Sequence, residues 1–145
     1  MTPITRCFLK AGLIWLLAGA IGLMILSVPG LNHSRGLMLA VWHMLVMGWV
    51  TQAIIGVSLW MFPRPVHGDR SRENGRTWTL FWMLNTGLIL RFGSEPFLSA
   101  GSGTTGYGLR WVAGLSVLLQ LMAVLLYIVE IWPRIRGKRR KPELK

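Results

Sequence analysis

The chain has 145 residues, 52 % of them hydrophobic and only 14 % charged, with a mean hydropathy of +0.48. That is enough for one domain, but the charges sit at the ends of long apolar runs, which excludes an ordinary soluble fold. The formal net charge of +11 also falls in short flanks of those runs rather than on a soluble scaffold, so it points to anchoring beside a membrane and away from nucleic acid.

The first apolar run is Phe8 to Val28, closed by Pro29-Gly30. It is too long for a cleaved signal peptide, and Leu26-Ser27-Val28 makes a poor cleavage site, so a retained helix is expected. Cys7, just before it, is the single cysteine; it excludes an intramolecular disulfide and any cysteine cluster, and reads as a small apolar side chain. The second run is Gly36 to Phe62, closed by Pro63 and Pro65. The third is Thr77 to Phe92, and the fourth is Leu109 to Trp132, preceded by the Gly/Ser/Thr-rich stretch Gly101 to Gly108. As helices they measure about 31, 40, 24 and 36 Å, against a hydrocarbon core of about 30 Å. The expected fold is all-α: an integral membrane four-helix bundle over residues 1–132, followed by a basic tail, 133–145. Trp15, Trp42, Trp60, Trp78, Trp111 and Trp132 fall mostly toward span ends, where amphipathic rings anchor at the headgroups.

Orientation follows from where the basic residues lie. Arg6 and Lys10 precede the first span, Arg64, Arg70, Arg72 and Arg76 separate the second and third, and the tail beginning at Arg134 follows the fourth. With four spans these flanks share one side, leaving Arg35, Arg91 and Arg110 opposite, so both termini are expected in the cytoplasm. The location implied is a bacterial inner (cytoplasmic) membrane, crossed several times. The tail is expected to act as a stop-transfer anchor, with anionic lipid as the sharper alternative.

Ionisable groups inside a span are expensive and therefore candidates for function. Arg91, Glu95 and Glu130 lie close enough to span ends to reach a wet interface, whereas His43 is about 10 Å into the second span. At 100° per residue His43, Met47, Val50, Ile54 and Met61 share one face, nearly opposite a stripe of Gly48, Gln52 and Gly56 that permits close helix approach. His43 is then expected to face a wider groove, suited to a flat apolar cofactor, to lipid or to plain packing. Imidazole suits haem iron, with its other nitrogen donating to a carbonyl or carboxylate. The bland alternative is a histidine bonded to a neighbouring helix, for instance to Asn85 or Gln120.

The segment His43-Met44-Leu45-Val46-Met47-Gly48-Trp49-Val50-Thr51-Gln52, running through Gly56 to Trp60-Met61-Phe62-Pro63-Arg64, resembles subunit I of haem-copper oxidases. More closely it resembles the short four-helix proteins often grouped with that subunit, in which a histidine near the outer third of a helix is followed by Gly-Trp and an aromatic-x-x-Pro turn. Asn85 to Arg91, continuing to Glu95-Pro96, looks like the matching later helix. The resemblance implies His43 as an axial ligand of b-type haem, Arg91 as the partner of a haem propionate, and a role in or beside a respiratory electron-transfer complex. It does not extend to oxygen reduction, because the remaining histidines, His33 and His67, are too few and sit in loops on opposite sides. A second axial ligand would be Met24, His33, or His43 of a second copy in a symmetric dimer.

Other readings are weaker on residues alone. A small multidrug transporter needs an acidic group in its first span, and Phe8 to Val28 holds none. A channel lacks its repeated polar stripe. A Cu(I) site from His43, Met44 and Met47 has suitably soft sulfur. The main competitor to haem is a cofactor-free accessory or assembly subunit packed on a larger membrane complex.

Overall fold

The computed structural model describes residues 2–29, 35–62, 70–98 and 104–135, with side chains from 75 and 107 onward in the last two segments. Among these residues the chain is all helical: α1 (Pro3–Leu26), α2 (Arg35–Met61), α3 (Arg70–Leu98) and α4 (Thr104–Ile135). The Pro63 and Pro65 turn, His33, His67 and the tail beyond 135 lie outside the described residues.

Three of the four helices, α1, α2 and the Tyr107–Ile135 part of α4, are long and apolar enough to cross a membrane. α3 is long, at 29 residues, but Asn85, Arg91, Glu95 and its tryptophans dilute its apolar character. It extends well past the expected Thr77–Phe92 at both ends, taking in Glu95 and Pro96. α4 likewise begins at Thr104, inside the Gly-rich stretch expected to be a loop. A helical glycine is unfavourable by only about 1 kcal/mol, so Gly106 and Gly108 do not stop a helix that the following apolar run sustains.

α1 lies along α2, α3 lies along α4, and the first part of α2 rests on α3; the backbones of α1 and α4 make no close approach among the described residues. The core joins these pairs through Ile4 and Phe8 of α1, Ile55 and Leu59 of α2, Leu80, Leu84 and Leu88 of α3, and Ala123 of α4. Phe8 meets Phe81 edge-on at 5.1 Å between centroids, and Ser58 shares a 2.8 Å hydrogen bond with Tyr127. The glycine stripe is used as its spacing suggests. A Cβ at Gly48 would come within 2.7 Å of Trp15 Cβ, and one at Gly56 within 3.3 Å of Leu9 and Phe8.

α2 is not a regular α-helix throughout. Met44–Val50 is a π-helical turn, and the Thr51 amide bonds the Val46 carbonyl, five residues back, as does the Thr51 hydroxyl at 3.0 Å. A π-turn winds less per residue than an α-helix, which offsets the forward drift of a four-residue repeat. Met44, Gly48, Gln52 and Gly56 therefore all stay buried on one side.

Candidate functional site

Two polar groupings occupy the interior. The first lies midway along the helices. Asn85 Oδ1 accepts from Trp15 Nε1 at 2.9 Å and from Gln52 Nε2 at 3.0 Å, while Asn85 Nδ2 donates to the Phe81 carbonyl at 2.9 Å. One buried amide thus ties α1, α2 and α3 together. Trp15, expected as an interfacial ring, is part of this seam, and Asn85, considered as a partner for His43, is fully engaged elsewhere.

The second grouping gathers around His43. Its Nδ1 lies 2.8 Å from the carbonyl oxygen of Leu39, one turn back on α2, so the ring donates from Nδ1 and leaves Nε2 without a partner among the described residues. Beside it on α3 is Glu95, whose Oε2 is 3.5 Å from the same nitrogen. Glu95 is in turn gripped by Arg91, one turn earlier, with Nε donating to Oε1 at 2.7 Å. The three side chains are 27 %, 6 % and 19 % exposed for His43, Glu95 and Arg91, so the carboxylate is the innermost. Its Oε2 has no hydrogen-bond donor.

This cluster exists because α2 and α3 come together at Gly36. A Cβ there would collide with the Glu95 carbonyl, so only glycine lets the start of α2 lie against the end of α3. The ridge that carries His43 is thereby brought onto Glu95. Comparison with protein-family models, curated proteins and solved structures finds no match to this chain.

His43 and Arg91, singled out from sequence, are brought together through Glu95, which the sequence offered as a candidate near a span end without a link to His43. The available signal was the i,i+4 spacing of Arg91 and Glu95, which puts both on one face of a helix. Met47 lies one turn after His43, at the π-turn. It packs against the hydrophobic core, and its sulfur accepts a 3.6 Å contact from the Thr51 hydroxyl, whereas Ile54 and Met61 are exposed. The π-turn at Met44–Val50 lies within the face drawn at 100° per residue from His43 to Met61, and that uniform step does not anticipate it. Glu130, on α4, is buried in an ion pair with Arg134 on its own helix. Among the described residues no three His, Cys, Asp or Glu side chains gather to hold a metal ion.

The donor set suits one side of a haem iron. A ligating histidine normally commits its second nitrogen to a carbonyl or carboxylate, which fixes the ring and its tautomer. His43 has that commitment at Leu39, a carboxylate close behind it, and Nε2 open.

Proposed function

We propose that this chain is a small integral membrane protein of four transmembrane helices, with both termini in the cytoplasm, that binds b-type haem through His43 Nε2. It serves in or beside a respiratory electron-transfer complex of a bacterial inner membrane. The observation that carries the reading is the Nδ1–Leu39 hydrogen bond, which orients the imidazole and leaves Nε2 as the only ring nitrogen available to a ligand.

α3 is the fourth span in this reading. Its polar groups have internal partners, Asn85 in the Trp15–Gln52 seam and Arg91 with Glu95, which lowers the cost of holding them in hydrocarbon. The distribution of Arg and Lys supports the orientation, and the likeness to short oxidase-like proteins supports haem as the occupant. Bound haem would supply one-electron redox chemistry. The chain's own part is to hold the ring: Leu39 fixes the tautomer, Glu95 keeps negative potential behind Nδ1, and Arg91 holds Glu95 in place. Arg91 would meet a haem propionate only through guanidinium nitrogens other than Nε, which Glu95 occupies.

The cofactor-free accessory role is supported by α1, whose apolar window is only 11 % buried within the chain and leaves a broad face for lipid or a larger subunit. One experiment separates the two. In detergent, a reduced-minus-oxidised visible spectrum should show sharp α and β bands that disappear in His43→Ala. A protein that stays colourless after haem-supplemented expression leaves the accessory role standing.

A further inference from the structure

His43 has one committed nitrogen and one open one. Its side chain is 27 % exposed, and Nδ1 is held by the Leu39 carbonyl. Nε2 has no hydrogen bond and, unlike Glu95 Oε2, is not among the buried side-chain atoms that lack one, so it reaches the surface of the chain. That surface is apolar: Leu39, Trp42 and Val46, all within about one turn of His43, are each about half exposed. α1 and α3 cover other sides of this part of α2, and the α4 backbone makes no close approach to it among the described residues. If α2 spans a bilayer, Nε2 faces hydrocarbon, where an unsatisfied acceptor is costly.

Haem iron held at Nε2 has a second axial position on the far side of its plane, and the nearby described residues do not fill it. Gly22 of α1 packs against Val41, which lies about 160° round α2 from His43. Met24, two residues further along α1, is therefore on the far side of α2. Met44 is buried, and Met47 packs against the core. Glu95 stands on the Nδ1 side of the ring and holds Arg91 there with it. The missing ligand must come to the open flank from outside. Two copies inserted in the same orientation carry His43 at the same depth. A two-fold axis along the membrane normal then turns the two open nitrogens toward each other, across one iron.

We propose that haem is shared between two copies of this chain, with His43 Nε2 of each copy on opposite sides of the iron. The exposed apolar residues that flank His43 in both copies shield the macrocycle from lipid. The shared site rests on the haem reading and on α2 crossing a membrane.

The test uses full-length protein expressed with added haem and purified in detergent. Haem content per chain, mass by light scattering and the ferric electron paramagnetic resonance spectrum are measured. One haem per two chains is expected, in a dimer, with a low-spin signal. Wild type and His43→Gly are then co-expressed under different tags, and the mixed pair is isolated on both. Its haem should be five-coordinate and high-spin, and should turn low-spin when imidazole is added. His33→Ala should leave the stoichiometry and the spin state of the homodimer unchanged. If His43→Gly does not fold, the wild-type haem ratio and mass, with His33→Ala, decide the matter. One haem per chain, haem in a monomer, a mixed pair that is low-spin without imidazole, or loss of the low-spin signal in His33→Ala each overturns the shared site while leaving His43 as a ligand. A wild type that binds no haem overturns the haem reading, and the shared site with it.

Discussion

At the scale of single residues, Asn85 and Gly36 carry more of the architecture than their size suggests. Asn85→Leu removes the acceptor for both Trp15 and Gln52 and leaves two donors without a partner in an apolar interior. Interhelical hydrogen bonds in membranes average about 0.6 kcal/mol each, so a loss of about 1 kcal/mol is expected, with a shift in Trp15 emission; denaturation in detergent, monitored by fluorescence, checks both. Gly36→Val meets a backbone carbonyl that cannot swing aside, so α2 must back away from α3. The expected loss is about 1–3 kcal/mol, together with any haem absorption, because His43 no longer sits against Glu95. The sequence showed which residues were costly but not how they pair. His43, Arg91 and Glu95 were each visible as ionisable groups in or at the ends of apolar runs, and the link was hidden because it depends on where two helices cross.

The π-turn is the feature of the elements that periodicity did not foresee. A hydrophobic pattern read at one fixed angular step has no place for a local change in winding, and nothing in Met44–Val50 marks it as anything but an apolar helix. The spacing of Met44, Gly48, Gln52 and Gly56 was informative in retrospect, since a strict repeat of four cannot hold one face of an unbroken α-helix over its length. A π-turn amounts to one residue in excess of the α ladder. Deleting the half-exposed Val46 should therefore convert the segment to α-helix while α2 keeps its packing on α1 and α3. Folded protein with a thermal midpoint within a few degrees of wild type is expected; aggregation on expression would mean that the two flanks do not keep their register. The Gly101–Gly108 stretch erred the other way, a breaker signal overridden from Thr104 by the helix that follows.

On the scale of the whole molecule, the sequence revealed the all-helical class and the three helices long and apolar enough to cross a membrane, because long apolar runs bounded by charge have few other uses. α3 was the least legible, since its polar groups count against it in sequence and are paired only in the fold. Its status as a span is open to a simple check. With four spans, a fluorescent protein that matures only in the cytoplasm should fluoresce when fused at either end of the chain, whereas three spans would leave one of the two fusions outside and dark. Whether His43 itself ligates haem is tested most directly by replacing its ring with a free one. His43→Gly protein, expressed with added haem, should lack α and β bands in the reduced spectrum and regain them when imidazole is supplied in solution. Bands that persist in His43→Gly without imidazole, or a wild-type protein that never acquires them, would contradict the account.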